Sequence, residues 1–317
     1  MMRPMHRGAR LTRRELMVGG VGASVLARAS RAGAQTPRTR LVLLGTGGGP
    51  RPKKTVSAPA NAVIVDDEVY VVDCGDGVAR QLVVADLPLT SLRHVFITHQ
   101  HSDHNADYGN LLLLAWAAGL RTRVDTWGPP PLERMTSSFF EMNAYDITTR
   151  MSDEGRVPLV PLVHAHEITN GGVVMHDDKV KVTAALVNHP PVVPAFGFRF
   201  DTPDRSIVFS GDTGPSRNLV ALAKGADVLV HEAMWAPAVD RLVGSVANAS
   251  TLKAHLLASH TVAEECGRIA EEAGVKTLVL SHFVPGGDPL ITDQMWLNAA
   301  QKYFRGNVVV GTDLMQL

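Results

Sequence analysis

Six consecutive residues, His99-Gln100-His101-Ser102-Asp103-His104, bring three imidazoles and a carboxylate together. They follow the apolar run Val95-Phe96-Ile97, which reads as a short buried strand, so the group begins where a strand gives way to a loop. In an extended segment His99 and His101 point to the same side and can share one metal ion. Asp103 and His104 then fall past the bend, where they can reach a second ion. Imidazole nitrogen combined with carboxylate oxygen suits Zn, Mn or Fe better than Ca or Mg. A lone His-x-His pair reads as a solvated loop, but His-x-His-x-Asp-His after a buried strand is a metal-binding pattern.

Four further segments share one form, an apolar run that ends in a ligand-type residue. They are Val187-Asn188-His189, the run Ile207-Val208-Phe209-Ser210-Gly211-Asp212, Val228-Leu229-Val230-His231-Glu232 and Leu278-Val279-Leu280-Ser281-His282. Strand ends of this kind collect their terminal residues at one edge of a sheet. A second His-x-His, His164-Ala165-His166, lies within strand alternation without a following Asp-His, and is expected on the surface or in a lid. The run Gly45-Thr46-Gly47-Gly48-Gly49-Pro50 is not a phosphate loop, because no Gly-Lys-Ser/Thr follows and Pro50 takes the place of a dinucleotide fingerprint's last glycine. It is expected to be a tight turn where backbone passes close to the metal site.

The elements that must position these residues read as one α/β domain over residues 35–317. A strand at 40–44 leads to a hairpin of residues 62–65 and 69–72 around Asp66-Asp67, then a helix over 78–85. Helices at 110–120 and 132–145 flank a strand at 124–127, a loop or short helix covers 146–157, and strands return between 159 and 187. The stretch between Glu232 and His260, with Met234, Trp235, Leu242, Val243 and Val246 and few charges, reads as an apolar loop on the substrate side. Cys74 and Cys266 are far apart and are expected to be buried free thiols.

Residues 1–34 have a different character. A basic head with Arg3, Arg7, Arg10, Arg13 and Arg14 precedes a short apolar stretch, Leu16 to Leu26, and the small-x-small site Ala32-Gly33-Ala34. This is the layout of an export signal, and Thr12-Arg13-Arg14-Glu15-Leu16-Met17 resembles a twin-arginine signal. The expected location is periplasmic or secreted, with no membrane attachment after signal removal. The signal holds seven of the 31 Lys and Arg residues and one of the 31 Asp and Glu residues, so its removal leaves 24 against 30. A chain about six charges negative argues against a nucleic-acid partner, which needs a basic surface.

Taken together, these motifs resemble the metallo-β-lactamase superfamily, and within it the ribonuclease Z-like branch with its arylsulfatase-type members. The resemblance covers most of residues 40–290. It rests on Leu44-Gly45-Thr46-Gly47, Asp73-Cys74-Gly75-Asp76-Gly77, the His99–His104 group, Ser210-Gly211-Asp212-Thr213, His231-Glu232-Ala233, Ser259-His260-Thr261 and Ser281-His282-Phe283. It implies an αββα sandwich with a two-metal site on one edge. His99, His101 and His189 would hold the first ion, Asp103, His104 and His282 the second, and Asp212 would bridge both. It also implies two divalent cations, zinc first and Mn or Fe as alternatives, that lower the pKa of a shared water to give a hydroxide nucleophile, with Asp103 orienting it. His260 would donate a proton to the leaving group, supported by Glu232, while His231 stays structural.

The chain departs from ribonuclease Z in two places. Only 22 residues separate His189 from Asp212, where that enzyme carries a tRNA-gripping arm, and the basic loop Arg51-Pro52-Lys53-Lys54 differs from its Pro-x-Lys-x-Arg-Asn pattern. The expected function is therefore an exported two-metal hydrolase of a small phosphodiester, sulfate ester or carboxylic ester. β-Lactam or lactone ring opening and ribonuclease Z-like phosphodiester cleavage are the alternatives, with a non-catalytic metal-binding protein ranked below them. A homodimer is expected by family analogy.

Overall fold

β1 (Thr39–Gly45), β2 (Ala60–Val65) and β3 (Glu68–Val72) form an antiparallel meander built largely from buried Val, Leu and Ile, side chains that pack well on a pleated surface. Asp66 and Asp67 both take left-handed φ values, 46° and 68°, as a two-residue hairpin turn requires. β4 (Leu92–Phe96), β5 (Val124–Gly128) and β6 (Val163–Glu167) add in parallel, completing a six-stranded sheet in chain order. This is a computed structural model that describes residues 38–244 and 246–317; the expected export signal at 1–34 lies outside the described residues.

The second sheet has seven strands, β7 (Gly172–His176), β8 (Lys181–Leu186), β9 (Phe196–Asp201), β10 (Ser206–Phe209), β11 (Val228–Met234), β12 (Thr277–Val284) and β13 (Asn307–Val310). β7 to β10 pair antiparallel and β10 to β13 pair parallel. The inner faces of the two sheets meet through Leu41, Leu43, Phe96, Phe198, Phe200 and Phe209. Phe96 of β4 meets Phe198 and Phe200 of β9 edge to face, at centroid distances of 5.5 and 5.1 Å. Fully burying each such side chain contributes about 1.5–3 kcal/mol.

Helices cover both outer faces. After the first sheet's strands come α1 (Val78–Val84), α2 (Ser102–Asn105), α3 (Tyr108–Ala117), α4 (Leu132–Met142) and α5 (Ala144–Asp153). The second set is α6 (Arg217–Ala223), α7 (Val239–Val243), α8 (Ala249–Ser259), α9 (Ala263–Ala273) and α10 (Asp293–Gln301). Leu82, Leu111 and Trp116 pack outside one sheet, and Leu219, Ile269 and Trp296 outside the other. The expected αββα sandwich is the observed one. No helix among the described residues is long and apolar enough to cross a membrane.

Two local expectations need correction. Residues 144–153 form a full helix where a loop or short helix was expected. Ile147 of α5 is buried and Met151, four residues on, packs against the same core, while Arg150 pairs with Asp146 and Glu154 four residues away on either side. The stretch between Glu232 and His260 is not a loop. It holds α7 and α8, whose Val239, Val243 and Leu256 pack with Met234 and Val284 in a small core of their own. Cys74 and Cys266 are buried and unpaired, as expected.

Candidate metal centre

The parallel strands deliver their C-terminal ends to one edge of the sandwich, and the chemistry-bearing residues lie there. Asp73 follows β3, His99 follows β4, Asp212 follows β10, and Glu232 and His282 sit near the ends of β11 and β12. Asp73 and His282 both take positive φ, 64° and 43°, a conformation that costs a non-glycine residue energy and is held by the surrounding structure. The glycine turn approaches as expected: a Cβ on Gly48 would lie 2.6 Å from His282 Cε1, and the Gly49 N–H donates to Asp103 Oδ2 at 2.8 Å.

Hydrogen bonds behind the rings decide which nitrogens face inward. The Thr98 hydroxyl donates to Asp73 at 3.0 Å, so its oxygen is left to accept from His99 Nδ1, also at 3.0 Å. His189 Nδ1 donates to the Ser259 carbonyl at 2.9 Å. A neutral imidazole has one N–H, so His99 and His189 present bare Nε2 lone pairs. Each of these lies 3.1 Å from His101 Nδ1. One ring proton cannot satisfy both contacts, whereas a cation at their centre satisfies all three. Zn–N bonds of 2.0–2.1 Å in a tetrahedron put neighbouring nitrogens roughly 3.3 Å apart. Asp212 Oδ2 stands 3.9 Å from His99 Nε2 on the fourth side.

A second group repeats the pattern with more negative charge. His104 Nδ1 donates to Asp73 Oδ2 at 2.8 Å, which turns its Nε2 inward. That Nε2 lies 3.2 Å from His282 Nε2, 3.3 Å from Asp212 Oδ1 and 3.6 Å from Asp103 Oδ2. His282 Nε2 is 3.2 Å from Asp212 Oδ1 and 3.4 Å from Asp103 Oδ2. Five of the six spacings among these four donor atoms thus lie between 3.2 and 3.6 Å. Asp212 Oδ1 is buried without a hydrogen-bond partner among the described residues, an expensive position for a carboxylate oxygen unless a cation takes it. Burial alone would raise the Asp212 pKa, but His282 and His104 hold it well below the usual carboxylate range. These donors fit divalent ions, and Asp212 contributes an oxygen to each group.

Beside both groups lies a buried ion pair. His260 Nδ1 donates to Glu232 Oε2 at 2.9 Å, and Glu232 Oε1 accepts from the Thr213 N–H at 2.8 Å. Burial would lower the His260 pKa, but Glu232 reverses this and raises it to about 9. His231, on the opposite face of β11, donates from Nδ1 to the Glu232 carbonyl and touches Cys266, outside either group. His166 pairs with Asp125 at 2.7 Å and stacks on Trp127, away from the centre.

A cavity of about 640 Å³ opens above the centre. Its floor includes His101, Asp103, Asp212, His260 and His282, one wall is Leu242, Val246, Leu252 and Leu256 from the α7–α8 region, and Arg51 and Lys53 line another. The structure therefore brings together all seven residues expected around metal, with His260 and Glu232 alongside. Sequence reasoning passed over the supporting roles of Asp73 and Thr98, although Asp73 stands in a motif it singled out and Thr98 directly precedes another. It also passed over His255 of α8 and the supporting role of Ser259, although Ser259 stands in the motif Ser259-His260-Thr261. His255 lines the cavity but sits in a stretch whose composition reads as apolar filler.

Two packed sheets, outer helices and paired donor groups sharing a carboxylate at the sheet edge define a hydrolase of the metallo-β-lactamase fold. The chain belongs to the β-lactamase superfamily: the family described as Beta-lactamase superfamily domain matches residues 69–283. It is 34% identical over 278 residues to a ribonuclease Z of Mycobacterium sp. (strain KMS), covering 86% of this chain and 94% of that one. Human tRNase Z, short form, shares the fold with a TM-score of 0.64 at 21% identity, over 88% of this chain and 98% of that one. Zn²⁺-bound PqqB from Methylobacterium extorquens gives the same TM-score at 14% identity, over 88% and 99%. The protein is a metal-dependent hydrolase of this superfamily.

Proposed function

We propose that the protein is a two-metal phosphodiesterase of the ribonuclease Z type. The observation that carries this is Asp212, whose two oxygens face two separate donor groups beside a charged His260–Glu232 pair. A relative named ribonuclease Z at 34% identity supports phosphodiester as the bond cleaved. The short span between His189 and Asp212 does not oppose this. The alignment of 278 residues takes in 86% of this chain's 317, about 273, so that relative carries no arm-sized insertion either.

His99, His101, His189 and Asp212 would hold one ion, and Asp103, His104, His282 and Asp212 the other, with zinc the first choice. Divalent ions bound there would supply Lewis acidity and lower the pKa of water towards neutrality. Asp103 orients the attacking water. Glu232 keeps His260 protonated, and because Nδ1 is engaged, Nε2 is the nitrogen left to pass a proton to the leaving oxygen. Arg51 and Lys53 give an anionic substrate a positive wall.

The apolar wall of the cavity favours a small substrate over a long nucleic acid, which keeps a small carboxylic or sulfate ester as the second reading. Export of the chain by residues 1–34 and a homodimer belong to the same proposal. Metal analysis of the purified protein is expected to find two ions per chain. In a panel of bis-p-nitrophenyl phosphate, an aryl sulfate, an aryl ester, a lactone and a β-lactam, the phosphodiester is expected to turn over fastest. His260→Ala should lower turnover by about 10²–10⁴ while metal content is retained. Loss of metal in that variant would make His260 a ligand and defeat its assignment as the acid.

A further inference from the structure

α8 carries a residue that this mechanism leaves unused. The His255 ring lies on the cavity wall, with its centroid 5.8 Å from that of His101, 5.9 Å from His189 and 6.1 Å from His260. Its Nδ1 is 3.2 Å from Ser259 Oγ. The Ser259 hydroxyl has a single proton and gives it to the Pro190 carbonyl, 2.5 Å away. Ser259 Oγ therefore accepts from His255 Nδ1–H, and the neutral ring carries its lone pair on Nε2. The side-chain hydrogen bond of this ring runs from Nδ1, on the side of Ser259 and the Pro190 carbonyl, and His255 is not in any of the groups able to hold an ion.

We propose that His255 is a specificity-determining hydrogen-bond acceptor. It takes the proton of a hydroxyl on the substrate's leaving alcohol, on the carbon next to the oxygen that His260 protonates. The proposal rests on phosphodiester hydrolysis at this centre. A bare lone pair repels phosphate oxygens, which have no proton to give, so His255 is suited to a hydroxyl and not to the anionic group that Arg51 and Lys53 face. The two rings stand about 6 Å apart on the same cavity, close enough to engage neighbouring oxygens of one leaving alcohol. The substrate class is thus a phosphodiester of a vicinal diol. Ribose, with its 2′-hydroxyl beside the 3′-oxygen, and glycerol both supply this chemistry.

The test compares kcat/KM of the metal-loaded protein within two matched pairs. One pair is the dinucleotide ApA against its analogue with 2′-deoxyribose at the 5′ residue. The other is methyl glyceryl phosphate against methyl propyl phosphate. Bis-p-nitrophenyl phosphate, which has no hydroxyl, reports on phosphodiester hydrolysis alone. The hydroxyl-bearing member of at least one pair should be preferred by about tenfold or more, and the pair that shows it identifies the diol. His255→Phe should bring the ratio close to one. Ser259→Ala, which frees the ring to exchange its tautomer, should lower the ratio partway, and it serves should the phenylalanine variant melt early. A ratio near one in the unmodified protein for both pairs, or a ratio that neither variant changes, overturns the proposal. Cleavage of bis-p-nitrophenyl phosphate with no hydroxyl preference removes this inference and keeps the phosphodiesterase; no cleavage of any phosphodiester removes both.

Discussion

The two donor groups share Asp212 but are built differently. The first has three imidazoles, supported from behind by a hydroxyl and a backbone carbonyl, and its His101 is half-buried at the cavity floor. The second has two carboxylates and two imidazoles, all buried, and a third carboxylate, Asp73, stands directly behind His104. A group richer in negative charge and poorer in solvent holds a divalent cation more firmly, and a carboxylate behind an imidazole raises its basicity. Both groups reach the cavity floor, the first through His101 and the second through Asp103 and His282, so the expected difference lies in how firmly each would hold its ion, the second serving as the anchor.

The largest effect is expected where the two groups meet. Asp212→Ala removes an oxygen from each and leaves five imidazoles without their shared counter-charge. Activity should fall by on the order of 10³-fold or more, beyond the 10–100-fold usual for a supporting residue. Metal bound per chain should fall as well. A variant that still held two ions would show that the groups do not depend on their common carboxylate, and the comparison would lose its basis.

Asp73 separates the groups. Asp73→Asn keeps the shape behind His104 but removes the charge, and it should weaken the second ion by about 10–100-fold while the first stays closer to its original affinity. Stepwise chelation followed by metal analysis reads this directly. In the unmodified protein the first ion lost should come from the imidazole-rich group; in Asp73→Asn the order should even out or reverse. An equal loss at both sites would mean that Asp73 acts on the whole edge and that the second group is not a separate anchor.

Much of this centre was legible in the residues because each contributor stands at the end of an apolar run. Val95-Phe96-Ile97 before His99 and Leu278-Val279-Leu280 before His282 are strands whatever follows them, and parallel strands carry their ends to one edge. His255 has no such marker. It lies inside α8, where nothing in the neighbouring residues distinguishes a ring facing the cavity from one facing water. Its place depends on α7 and α8 folding over the centre on a small core of Val239, Val243 and Leu256, a long-range arrangement that local pattern does not encode. Asp73 was visible as part of Asp-Cys-Gly-Asp-Gly, but its role needs the 31-residue separation from His104 to close into a 2.8 Å contact.

Thr98 should give the smallest effect, and the one that sharpens the comparison most. Its hydroxyl donates to Asp73, behind the second group, and accepts from His99, in the first. The Thr98 backbone N–H also donates to Asp73 Oδ1 at 2.8 Å, and that bond survives a side-chain change. Thr98→Val keeps the shape and removes only the hydroxyl, so Asp73 stays oriented by the backbone and by His104, whereas His99 Nδ1 loses its sole hydrogen-bond partner among the described residues. A buried N–H left in that state costs about 1–3 kcal/mol, and here the cost falls chiefly on the first group, the contact of Thr98 Oγ with His104 Nδ1 being longer at 3.5 Å. The first ion should therefore bind several-fold more weakly, with the second nearly unaffected, the opposite asymmetry to Asp73→Asn. Metal titration of the two variants side by side tests this. If Thr98→Val instead released the second ion first, the hydroxyl would matter chiefly for holding Asp73, and the two groups would be one network with a single support.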